Sequence, residues 1–110
     1  MDCIFCKIAS KVIPANIEYE DGHVLAFPDI NPVSPIHFLI IPKKHSKSIM
    51  DMSDGEMLSV KKAVKELAIK HKLEETGFRL VTNYLKDGGQ EVEHVHFHFL
   101  AGRKHTWPPG

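Results

Sequence analysis

The sequence predicts an α+β domain: a five-stranded antiparallel sheet carrying one long helix on one face, with a short helical turn at the N-terminus. Three observations predict it. Residues 54–73 repeat apolar side chains at helical spacing behind a capping signal. Residues 94–100, His-Val-His-Phe-His-Phe-Leu, alternate in the period-two pattern of a strand. Apart from the one helix, strand-like runs follow each other without the crossovers that a parallel sheet needs.

The elements can be justified in chain order. Cys3-Ile4-Phe5-Cys6-Lys7-Ile8 is expected to form a helical turn or knuckle, which the Ile13-Pro14 pair closes. Residues 17–20 and 24–27 read as strands of a hairpin, because Asp21-Gly22 between them is a strong turn signal. Residues 29–35 hold two prolines and an asparagine and read as a loop. Residues 37–42 are the most apolar strand and are expected at the sheet centre. Ser53 and Glu56 make a capping box. Behind it Met57, Val60, Val64, Leu67, Ala68 and His71 form one stripe to about residue 73, with Lys61, Lys62, Lys65 and Glu66 on the solvated side. Residues 78–84 read as a strand, residues 86–90 as a loop, and 94–100 as the last strand. The ending Trp107-Pro108-Pro109-Gly110 can be neither helix nor inner strand.

The bulk numbers exclude several functions. The 110 residues make one domain with a modest core. Formal net charge is zero, which argues against an electrostatic grip on nucleic acid. No apolar run is long enough to span a membrane. A cytoplasmic location is expected, with Cys3 and Cys6 reduced. Eight histidines in so short a chain are the compositional oddity.

Three of those histidines carry the argument toward chemistry. On a strand His94, His96 and His98 share one face, and Val95, Phe97 and Phe99 share the other. Positions four apart on a strand are separated by about 13 Å, too far for His94 and His98 to bind one ion. The row therefore divides at least two jobs. Cys3-x-x-Cys6 offers two thiolates at a spacing that suits tetrahedral zinc, although a redox pair or two small buried residues would look similar. Two further ligands are needed. His94 and His45 are available, and spacing alone does not select them. Gly88-Gly89-Gln90 leads into the histidines and could bring backbone N–H groups up to a phosphate, or could be a plain turn. Asp29 could accept hydrogen bonds from a ribose diol, or could serve only its turn.

Taken together the motifs resemble the histidine triad (HIT) superfamily. His94-x-His96-x-His98, Cys3-Ile-Phe-Cys-Lys-Ile8, Ile13-Pro14, Phe27-x-Asp29-Ile-Asn-Pro32, Pro35-x-His37, Ile41-Pro-Lys-Lys-His45, Gly89-Gln90-x-Val92 and Gly102-Arg103 fall in family order along the whole chain. The Trp-Pro-Pro-Gly ending is similar to the Hint-like branch, the purine nucleoside phosphoramidate hydrolases. The resemblance implies a homodimer in which two five-stranded sheets join. It implies that His96 attacks phosphorus to form a nucleotidyl-histidine, that His98 contacts phosphate and leaving group, and that His37 supports them. It implies that Asp29 binds ribose, that Asn83 lies on the phosphate side and that Gln90 binds substrate. Phe5, Ile8, Ile13, Phe27 and Ile30 would form the base pocket, and Trp107 would approach the partner's nucleotide site. Cys3, Cys6, His45 and His94 would hold one structural zinc per chain, with no metal in the chemical step. A sister branch, the dinucleoside polyphosphate hydrolases, and a nucleotide-binding regulator of low turnover are the alternatives. The chain departs from the branch at Glu91, where Ser or Thr is usual, at Leu85 for a frequent glycine, and at Glu93.

Overall fold

In the computed structural model, which describes residues 3–110, every adjacent strand pair is antiparallel and the sheet order is β1-β2-β3-β5-β4. The strands are β1 (Tyr19–Glu20), β2 (Val24–Pro28), β3 (Ile36–Pro42), β4 (Arg79–Thr82) and β5 (Phe97–Ala101). Helix α1 spans Ile4–Ala9, α2 spans Asp54–Lys70, and a short α3 spans Leu85–Gly88.

The strand alternation splits the interior into two layers. Val24, Ala26, Phe38, Ile40, Phe97 and Phe99 meet Val60, Ala63 and Leu67 of α2 on one face. Leu25, Phe27, Leu39 and Ile41 face the other way and meet Cys3, Phe5 and Ile8 of the N-terminal segment. The knuckle thus caps a second core, which the expectation of a helix on one face did not include. The hairpin turns where Asp21 accepts bonds from the His23 and Val24 amides, at 2.8 and 2.9 Å. Helix α2 begins at the expected capping box: Ser53 Oγ accepts from the Glu56 amide at 3.1 Å and Glu56 Oε1 from the Ser53 amide at 2.8 Å.

Several boundaries differ from expectation. Helix α2 ends at Lys70 rather than near residue 73, because Lys72 turns left-handed (φ 58°) and the Leu73 amide reaches back to the Ala68 carbonyl. Strands β1 and β4 are shorter than their apolar runs. The expected loop at 86–90 contains the α3 turn, closed by Gly89 at φ 73°, where a side chain would be strained. The histidine strand starts only at Phe97. Before it, the Val95 amide is taken by the Ser46 carbonyl at 2.7 Å and the His96 carbonyl by Thr82 Oγ1 at 3.0 Å. Val95 still packs with the α2 layer, so the alternation of faces survives outside the ladder.

Candidate active site

The site lies on the α1 side of the sheet, where β3 and β5 run side by side. Their register places Leu39 opposite His98 and His37 opposite Leu100, so His37 and His98 meet diagonally. A cleft of about 240 Å³ opens there between His96, His98, Asp29, Asn83, Glu91 and the apolar side chains of Phe5, Leu39 and Val92.

Hydrogen bonds assign the neutral tautomers of the imidazoles around the cleft. The Val33 amide donates to His37 Nδ1 at 3.1 Å, so His37 carries its proton on Nε2. That nitrogen lies 2.9 Å from His98 Nδ1 and 3.4 Å from Asp29 Oδ2. His98 Nδ1 is therefore an acceptor, and the His98 proton sits on Nε2. His96 Nδ1 donates to the His94 carbonyl at 2.9 Å, which leaves its Nε2 as a lone pair. Each of the two imidazoles at the cleft has one nitrogen held by the protein and one uncommitted: an acceptor on His96, a donor on His98.

Burial keeps the supporting rings uncharged. Desolvation pushes the pKa of His37 down against the opposing pull of Asp29. His98 falls to about 4, through desolvation first and then repulsion from His96 and His37. At neutral pH His98 is thus a neutral hydrogen-bond donor.

A second constellation lies behind the cleft. Cys3, Cys6, His45 and His94 bring all four ligand atoms within 4.8 Å of one another and could hold a metal ion. His94 Nδ1 lies 3.3 Å from Cys3 Sγ and 3.5 Å from Cys6 Sγ, and His45 Nδ1 lies 3.2 Å from Cys6 Sγ. His94 Nε2 donates to the Pro42 carbonyl at 2.8 Å, so its Nδ1 lone pair faces the thiols. Burial and the adjacent Cys3 raise the Cys6 pKa; a divalent cation among these ligands would oppose that and favour thiolates. Phe5, held between the two cysteines, sits edge-on to both His94 and His96, with ring centroids 5.8 and 5.2 Å away. The two constellations touch directly through the His94 carbonyl.

Asp29, Asn83, Phe5, His96 and His98 line the cleft together. Ile8 and Phe27 are buried in the adjoining apolar layer, and Ile13 packs on it. Ile30 does not join them: it is 88% exposed, at a turn where Asp29 Oδ1 accepts the Asn31 amide at 2.7 Å. Gln90 is held by the loop itself. Its Oε1 accepts the Leu85 amide, and its Nε2 donates to the Lys47 and Val92 carbonyls, so both ends of the amide brace the loop. Asn83 Nδ2 donates to the Gly88 carbonyl at 2.6 Å and helps shape the same loop. Trp107 is 83% exposed. Glu91, whose charge was the chief departure, is at the cleft wall.

Sequence reasoning missed the groups that set the tautomers, the Val33 amide and the Pro42 carbonyl, because backbone atoms carry no signature. It also missed Leu39, which strand parity with His37 would have revealed.

A family model described as "HIT domain" matches residues 10–105. Among solved structures, a HIT family hydrolase from Legionella pneumophila is 49% identical with a TM-score of 0.88, over 99% of this chain and 100% of that one. A histidine triad nucleotide-binding protein from Candida albicans is 35% identical with a TM-score of 0.84, over 89% of this chain and 73% of that one. A 14 kDa zinc-binding protein of Brassica juncea is 43% identical over 99% of this chain and 100% of its own length.

Proposed function

Because the chain belongs to the HIT domain family, we propose that it is a nucleotide-binding hydrolase that cleaves purine nucleoside phosphoramidates through a nucleotidyl-histidine. The observation that carries this reading is the complementary pair of free nitrogens at the cleft, the His96 lone pair beside the His98 donor. The hydrolase from Legionella pneumophila and the nucleotide-binding protein from Candida albicans, both similar over most of this chain, support the class of reaction and ligand.

In the first step His96 Nε2 attacks phosphorus, a P–N bond forms, and the bond to the leaving nitrogen breaks. The amine departs with a proton that the N-protonated substrate brings in. His98 Nε2–H donates to a phosphoryl oxygen as negative charge builds there. In the second step water attacks phosphorus and the P–Nε2 bond breaks. Its electron pair returns to His96, the water's proton passes to solvent, and the nucleoside monophosphate is released. His37 acts by holding the His98 tautomer, so it is a positioning residue. Hydrolysis of adenosine phosphoramidate tests the reading; a protein that binds AMP without turning over this substrate would reject the activity.

Asp29 is proposed to bind the ribose diol. Asp29→Ala should weaken AMP by about tenfold, the scale of one or two charge-assisted hydrogen bonds, and its dideoxy counterpart much less. Equal losses, read by calorimetry, would reduce Asp29 to a turn residue and a partner of His37.

Cys3, Cys6, His45 and His94 are proposed to hold one zinc. Around a tetrahedral ion with bonds of about 2.0–2.3 Å, ligand atoms lie about 3.3–3.8 Å apart, close to the three His–Cys separations of 3.2, 3.3 and 3.5 Å. The Brassica juncea relative adds support. When bound, zinc would cross-link the knuckle to the strands and keep the thiols ionised.

A cytoplasmic homodimer completes the proposal. The edge strand β4 and the segment before it expose Phe78 and Leu80, and α2 exposes Leu58 and Ile69, surfaces that a second copy would cover. Light scattering at micromolar concentration should give twice the chain mass; a monomer mass would reject the dimer.

A further inference from the structure

Two hollows meet at Glu91. The cleft containing His96 and His98 adjoins a larger one of about 510 Å³, and Glu91 and Val92 line both. Two carboxylates line the cleft, Asp29 and Glu91, and no lysine or arginine does. Asp29 already has partners in the Asn31 amide and His37. Glu91 is exposed and makes no hydrogen bond or ion pair among the described residues, so no direct partner takes up its charge. The larger hollow continues the same character. Among the described residues Glu93 joins Glu91 there, Lys47 is the one lysine or arginine in the lining, Cys3 and His45 of the proposed metal site form part of the wall, and Ile4, 51% exposed, offers an apolar surface.

We propose that Glu91 is a specificity-determining residue that selects leaving groups carrying a positive charge on an aliphatic body and rejects anionic ones. The inference rests on the reading of the cleft as a nucleotidyl-transfer site. The Asp29 side of the cleft takes the nucleoside, so a group leaving from phosphorus has the Glu91 side and the larger hollow open to it. An alkylammonium there would pair with Glu91 and Glu93 and lay its methylenes on Ile4. A polyphosphate would bring several negative charges up to a carboxylate that no direct ion pair offsets. Opposite and like charges a few ångströms apart at a partly hydrated surface differ by about tenfold in affinity in each direction.

The test uses three adenosine phosphoramidates of matched length, whose leaving groups are putrescine, butylamine and γ-aminobutyrate. For the full chain kcat/KM should fall in that order, by about tenfold at each step, and the spread should narrow as salt rises. In Glu91→Gln, with melting temperature as a folding control, the spread should fall to within about threefold. Glu93→Gln should narrow it less, since Glu93 lines only the outer hollow. The same spread in Glu91→Gln as in the unaltered protein would overturn the proposal. If none of the three is hydrolysed, the proposed activity fails, and calorimetric affinities for the same compounds still read Glu91. The same ranking, lost in Glu91→Gln, would uphold the charge selection; equal affinities would overturn it.

Discussion

His96→Ala should lose turnover to the limit of detection while its affinity for AMP stays within about tenfold of the unaltered protein. The expectation follows from where the ring sits. His96 is buried to 6% exposure, and its Nδ1 is occupied by the His94 carbonyl, so only Nε2 is free to act. In the proposed reaction that nitrogen supplies a covalent bond and little of the nucleotide's binding. An alkaline quench of the unaltered protein during turnover should capture a nucleotidyl adduct, absent from the variant, which mass spectrometry would detect. Because His96 packs edge-on against Phe5, alanine leaves a hole, so His96→Asn is the second variant and melting temperature the control. Turnover by either folded variant would remove His96 from the nucleophile's role.

Cys3→Ser should lower the melting temperature by more than about ten degrees, the scale of losing several kcal/mol in a domain of this size. The rate per folded molecule should fall less than the stability does. Cys3 is the N-cap of α1, and its Sγ accepts from the Cys6 amide at 3.4 Å and lies 3.3 Å from His94 Nδ1. A metal held there would join the knuckle to the residues around His45 and His94, which α1, only six residues long, cannot do by helical stability alone. Elemental analysis should find one zinc per chain in the unaltered protein, and strong chelation should reproduce the loss in melting temperature. Metal-free protein with an unchanged melting curve would refute the site.

The contrast between these two groups shows what could be read from the chain alone. Periodicity set the strand faces and the stripe of α2, because alternation and helical spacing are local consequences of backbone geometry. The capping box at Ser53 and the turn at Asp21 were legible for the same reason: each is satisfied within three or four residues. The separation of His94 from His98 into different jobs followed from strand rise. Motif resemblance then supplied candidate roles that spacing left open.

Tertiary structure decided what depends on partners distant in the chain. That Cys3 and His94, 91 residues apart, come to 3.3 Å is a product of sheet order. Nothing local could show that Val33, His37 and His98 form a relay with one direction, because the Val33 amide selects the tautomer and the antiparallel register delivers it to His98. The surroundings of Ile30 and Gln90 were illegible for a related reason. A motif position says which residue type belongs in a loop, but the turn at Asp29 left the isoleucine in solvent, and three backbone groups claimed the glutamine amide. The sequence by itself determined which residues can share a face; the packed chain determined which of their atoms remain free to act, because buried hydrogen-bonding groups must be satisfied and only the unsatisfied remainder is available for chemistry.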